Sequence, residues 1–255
     1  MAAGALTCGE LTKRFGATLA VDRLELVVPQ GSMFGLVGPN GAGKTTTLSM
    51  ATGLLRPDAG RVLVHGEDVW SDLERAHRLL GVLPDGLPTL DRLSGPELVE
   101  HIGRLHGLPR AEAARRAADL LAVLDLTDAG RTLVVDYSAG MRKKVGLACA
   151  LVHAPRVLVL DEPFEAVDPV SASTIRELLQ RFTADGGTVV VSSHVMALVE
   201  QLCDHVAVIV AGRVVASGTL DEVRAGGTLE DRFVALSGGR RGIGEGLAWL
   251  ASSSG

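Results

Sequence analysis

The chain has 255 residues, 47% of them apolar and 22% charged, so it can bury a substantial core without disulfides, and wholesale disorder is excluded. A formal net charge of −5 argues against a broad nucleic-acid surface, and no nucleic-acid partner is expected. Cys8, Cys149 and Cys203 are odd in number, scattered, and fit neither a CxxC pair nor a zinc spacing, which reads as free buried thiols in a reducing compartment. The opening MAAGALTCGELTKR has no basic stretch leading into an apolar core, so no secretory signal is expected. Apolar runs such as VAVIVAG (206–212) fall far short of the ~20 residues a membrane span needs, and any membrane contact is expected to go through a partner.

In chain order, LELVV (24–28) alternates weakly, Pro29 and Gly31 turn the chain, and MFGLV (33–37) reads as a buried strand. A Gly-rich turn follows, and KTTTLSMATGLL opens a helix that ends near Gly53. RPDAG (56–60) is turn chemistry before a further strand, RVLVHG. From about Leu93 to His153 apolar residues recur at helical spacing with charge between them, which predicts a helical subdomain inserted at about 88–153. Strands and helices then alternate as VLVL, PVSASTIRELLQRF, TVVVSSH, VMALVEQLC and HVAVIV, a pattern that implies parallel pairing through right-handed crossovers. IVAGRVV carries a two-residue link, Ala211 and Gly212, that reads as a hairpin. The expected organisation is one α/β domain over 1–236, with a mostly parallel sheet and an N-terminal antiparallel β part, and a mobile tail over 237–255.

VLVLDEP (157–163) poses a physical problem, because a strand apolar on both faces ends in two adjacent carboxylates that are costly unless compensated. GPNGAGKTT (38–46) supplies the answer. It satisfies GxxxxGK[ST] between a predicted strand and a predicted helix, where glycines let backbone N–H groups converge on phosphate oxygens. Gly38, Asn40, Gly41, Gly43 and Thr46 would form that cradle, Lys44 would supply a full positive charge, and Thr45 would give its hydroxyl to Mg²⁺. Asp161 is placed to help hold the Mg²⁺, and Glu162, one residue further, to face the space beyond the terminal phosphate where an attacking water would sit.

The ordered set that continues with DYSAGMRKKVGLACAL (136–151), APRVLVLDEPFEAVD and VVVSSH resembles the ATP-binding cassette ATPases of transporters over roughly 6–236. The resemblance implies ATP and Mg²⁺ as ligands, a P-loop core, and two ATP molecules clamped head to tail between two copies of the subunit. It implies that Ser138 and Gly140 in the signature loop reach the γ-phosphate held by the other copy, that Glu162 is the catalytic glutamate and His194 the switch histidine, and that Asp168 lies in the loop crossing the dimer interface. Phe15 sits where the family stacks an aromatic ring on adenine. Four positions depart from the family: in the signature loop, LSGGQ in the family, Tyr137, Ala139 and Met141 differ, and Asp85 stands for the glutamine that reaches Mg²⁺ and the membrane partner. Ala139 is tolerable if its φ is negative, whereas Asp85 is expected to loosen coupling or make its metal contact indirect. RKK (142–144) reads as a solvated helical face. The function implied is an exporter-like ATPase subunit at the cytoplasmic face of the membrane, driving a separate permease. The alternative, a soluble cassette ATPase acting on a non-membrane partner, would ordinarily carry a second cassette or a long coiled coil between the motifs.

Overall fold

A computed structural model describes residues 4–86 and 92–237; the tail expected after 237 and the start of the helical insertion at 88–91 lie outside the described residues. The chain opens with antiparallel strands β1 (Leu6–Phe15) and β2 (Thr18–Val28), then β3 (Met33–Val37), helix α1 (Lys44–Ala51), β4 (Ala59–Val64) and β5 (Glu67–Asp68). Helix α2 (Leu73–Leu79) leads directly into β6 (Leu80–Leu83), and α3 (Gly95–Leu105), α4 (Arg110–Val123) and α5 (Ala139–Leu151) form the helical segment. Alternation then resumes: β7 (Val157–Asp161), α6 (Pro169–Ala184), β8 (Thr188–Ser193), α7 (Met196–Leu202) and β9 (His205–Val210). Strand β10 (Arg213–Thr219) and helices α8 (Leu220–Arg224) and α9 (Leu229–Leu236) end the described chain.

These strands make two sheets. The larger runs β10-β9-β3-β8-β7-β6, parallel throughout except for edge strand β10, and the smaller runs β2-β1-β4-β5 and is antiparallel. β7 shows why its sequence lacks alternation. Val157 and Val159 pack into a core shared with α1 and the antiparallel sheet, while Leu158 and Leu160 pack into a second core against the helical segment and α6. With both faces covered, every position must be apolar until the strand leaves the core at Asp161.

The link between β9 and β10 is a two-residue hairpin, with Val210 opposite Arg213 and positive φ at both Ala211 (48°) and Gly212 (77°), as primed turns require. The long strand β1 was not expected from the sequence. Its pairing slips at Cys8/Leu11, Leu11/Lys13 and Lys13/Arg14, and Glu10 takes a positive φ of 51°, so bulges erase the period-two pattern. All three cysteines are free and buried, and burial pushes each thiol up to about 12. Among the described residues no helix is long and apolar enough to cross a membrane.

Candidate active site

The phosphate loop spans the gap between the end of β3 and the start of α1. Gly43 caps the helix with φ 103°, and a Cβ there would lie 2.6 Å from the Ala20 carbonyl oxygen, so conformation and space both demand glycine. α1 has no side-chain cap and no acid in its first turn, which leaves its N-terminal amides for an anion. Lys44 is buried, and its ammonium is folded over the loop, donating to the carbonyls of Gly38 (2.8 Å) and Pro39 (3.3 Å).

A cavity of about 430 Å³ lies over this loop. From the loop side it takes Asn40, Gly41, Gly43, Lys44, Thr45 and Thr46, with Phe15 at one end. Facing them are Asp85, Glu162 and His194. Gly38 lies beneath, as the carbonyl under Lys44, and Asp161 is buried at the end of β7. Phe15 is half exposed, with the Lys13 ammonium 5.8 Å from its ring centroid, so one face is open for stacking.

The two carboxylates are held by a residue that the sequence reading did not single out. Asp161 pairs with Ser192 across β7 and β8, and the Ser192 hydroxyl donates to Asp161 Oδ1 while accepting the backbone N–H of Glu162 at 2.9 Å. Glu162 takes φ 46°, a left-handed conformation that costs a non-glycine residue roughly 1 kcal/mol or more and marks functional turns. The turn carries its carboxylate over the loop, where Oε1 lies 3.0 Å from His194 Nδ1 and 3.9 Å from Lys44 Nζ. What meets the two acids at the end of β7 is local: the Ser192 hydroxyl for Asp161, and His194 and Lys44 for Glu162.

Ser138, Gly140 and Asp168 stand apart from this cavity in the single chain. Ser138 caps α5 by accepting the N–H of Met141 at 3.2 Å, and Asp168 caps α6 by accepting from Val170 (3.1 Å) and Ser171 (3.0 Å). Hydrogen bonds from Ser171, then Val170, hold the Asp168 carboxyl below the usual carboxylate range. A Cβ at Gly140 would lie 2.9 Å from the Ala166 carbonyl oxygen, which explains why this signature glycine is kept, while Ala139 lies within α5 and has no positive φ.

The solvated face expected for residues 142–144 is not what forms; only Arg142 is exposed. Lys144 is buried, its ammonium 3.3 Å from the Asp125 carbonyl and 3.4 Å from Ser171 Oγ. Lys143 reaches the Asp161 carbonyl (3.3 Å) and Asp85 Oδ1 (3.4 Å). Charge density alone could not reveal this, because the docking angle of α5 decides which side chains turn inward. Glu165 and Ala20 also line the cavity without having been expected there. For Ser192 the signal was weak, because β8 reads TVVVSS and Thr188, Ser192 and Ser193 are all polar and buried.

A phosphate loop between a parallel strand and a helix, faced by two strand-end carboxylates and a histidine, defines a P-loop nucleoside triphosphate-binding protein. A family model for the ABC transporter matches residues 21–165. The daunorubicin resistance ATP-binding protein DrrA3 of Streptomyces coeruleorubidus is 40% identical over 225 residues, covering 88% of this chain and 71% of the relative. The linearmycin resistance ATP-binding protein LnrL of Bacillus subtilis is 34% identical over 224 residues, with coverage of 87% and 72%. A solved ATP-binding subunit of an ABC transporter superposes with a TM-score of 0.85 at 30% identity, over 91% of this chain and 99% of that one. The chain belongs to the ABC transporter family, as one of its ATP-binding ATPase subunits.

Proposed function

We propose that this subunit hydrolyses ATP in the cavity over the phosphate loop and, by pairing head to tail with a second ATPase subunit, powers a separate membrane permease from the cytoplasmic face. The observation that carries the reading is the position of Glu162 Oε1, within hydrogen-bond reach of His194 and 3.9 Å from Lys44, on a backbone held out of its preferred conformation. In the proposed reaction Glu162 takes the proton of a water attacking the γ-phosphorus, His194 orients that carboxylate, and Lys44 with the loop amides offsets charge on the phosphate oxygens as ADP and phosphate form. Phe15 stacks on the base. The carboxylate and hydroxyl donors suit Mg²⁺: Thr45 and Asp161 would hold it with Asp85 nearby, and among the described residues no cluster of three His, Cys, Asp or Glu offers a cage for a different metal. When bound, the ion would supply positive charge between the terminal phosphates.

Ser138 and Gly140 at the start of α5, and Asp168 at the start of α6, would face the nucleotide of the paired subunit, which accounts for their separation from the chain's own cavity. A single domain over 1–236, with 88–153 as the helical part that meets the permease, fits this arrangement. Export is favoured over import because the two named relatives are drug-resistance ATP-binding proteins. The test is Glu162→Gln. It should bind ATP as the wild type does, lose about a hundredfold or more in turnover, and accumulate as an ATP-bound dimer on size exclusion with light scattering. Retention of most of the wild-type rate would falsify the role given to Glu162.

A further inference from the structure

α5 begins at the signature serine, and one and a half turns further on its Lys143 turns toward the chain's own nucleotide site. The Lys143 side chain is only 14% exposed, and its ammonium sits between the Asp161 carbonyl and the Asp85 carboxylate. The site needs such a charge. Asp85, Glu162 and Glu165 all line the cavity, and Lys44 is the lone lysine or arginine among its lining residues. A triphosphate entering there meets an acid at the position where the resembling family carries a neutral amide. At separations of a few ångströms and partial burial, an uncompensated carboxylate repels the γ-phosphate strongly.

We infer that Lys143 is a positioning residue: it pairs with Asp85, offsets that charge beside the triphosphate, and ties the helix behind Ser138 to the chain's own cavity. The inference rests on the proposed nucleotide site. It follows that the acid at 85 and the lysine at 143 act as a unit, in which neither substitution has its full effect without the other. Because the γ-phosphate is what separates ATP from ADP, the pair bears on ATP affinity more than on ADP affinity. Its spatial arrangement also gives the chain a direct link between its own site and the helix start offered to a second subunit.

The experiment is a double-mutant cycle on the full-length protein, with MgATP and MgADP affinities read by displacement of a fluorescent ATP analogue. Lys143→Met should weaken MgATP about tenfold and MgADP by less than about threefold. Lys143→Arg should stay within about twofold of the wild type, and Asp85→Asn combined with Lys143→Met should restore most of the lost affinity. Asp85→Asn alone, which keeps Lys143 and does not depend on the folding of a Lys143 variant, should bind MgATP at least as tightly as the wild type. Additive effects across the cycle, equal losses for ATP and ADP, or weaker MgATP binding by Asp85→Asn would each overturn the pairing. Failure of the wild type itself to displace the analogue with either nucleotide would instead remove the nucleotide site on which the pairing depends.

Discussion

Ser192 shows how much one buried hydroxyl can govern. It is fully buried, donates to Asp161, and accepts the amide of Glu162, so it fixes both strand-end acids and the strained turn between them. Ser192→Ala leaves that amide and that carboxylate without their buried partner, at a cost of about 1–3 kcal/mol in stability. Because the Glu162 carboxylate is then less well aimed while the phosphate loop is untouched, turnover should fall roughly tenfold with ATP affinity changed by less than about threefold. Unchanged turnover in a steady-state ATPase assay would show that the hydroxyl does not position Glu162. Lys44, Asp161 and Glu162 could be proposed from short motifs whose chemistry depends on local spacing, and His194 only through the family resemblance; the structure brings Lys44, Glu162 and His194 together at one cavity, with Asp161 buried at the end of β7. Ser192 and Lys143 were not legible in the sequence, since their roles come from strand pairing and helix docking, which bring residues 30 and 58 positions apart into contact with Glu162 and Asp85 respectively.

The elements differ in the same way. Buried β7 and β8 and the alternation around them could be read directly, and the helical stretch announced itself by its 3.6-residue period. β1 was hidden by its bulges, and β6 by its brevity, four residues with Gly81 among them. Another element-level feature emerges only in three dimensions: His106 at the end of α3 stacks on His153 just after α5, with ring centroids 3.7 Å apart and 10° between planes. His153 Nε2 lies 3.0 Å from the Leu80 carbonyl and must donate to it, which leaves Nδ1 as a buried acceptor without a partner. Burial, and then the neighbouring His106, push His153 down to about 4, and burial also lowers His106. The folded state therefore prefers both rings neutral. Between pH 6.5 and about 4 the unfolded chain binds more protons than the folded one, so this contribution to stability is present above pH 6.5 and is lost as the pH falls toward 4. The Glu112 carboxylate, held at about 2 by hydrogen bonds from Arg115 and Arg116, is lost only below its ordinary 4.5, so the interval from 6.5 to 5 isolates the histidines. Urea midpoints should drop across that interval in the wild type and drop less steeply in His153→Gln, which keeps the contributions of His106 and of His65, also lowered by burial; parallel curves for the two proteins would refute the assignment.

For the whole molecule the governing quantity is charge. The chain carries a net −5, and three of its carboxylates line the cavity over the phosphate loop against one lysine, yet the proposed ligand, ATP, is itself a polyanion. Under the proposed function, the loop amides and Lys44 would meet the phosphate oxygens but are too few to balance both the acids and the triphosphate, so tight binding is expected to draw in a divalent cation with the nucleotide. Ligand that binds only the folded state raises stability by RT ln(1 + [L]/Kd), about 2.7 kcal/mol at a hundredfold excess over Kd, which for a chain of this size is a rise in Tm of about 5–10 °C. MgATP at saturating concentration should therefore shift Tm by about that amount, and the same ATP with excess EDTA by less than half of it. Lys44→Ala should lose most of the shift in either condition, because it removes the lone lysine or arginine among the cavity's described lining residues and leaves Glu162 without its lysine partner. Equal stabilisation by ATP with and without magnesium, in a scanning fluorimetry series at constant ionic strength, would mean that the acids around the cavity are not offset by a metal, and that their compensation comes from the protein alone.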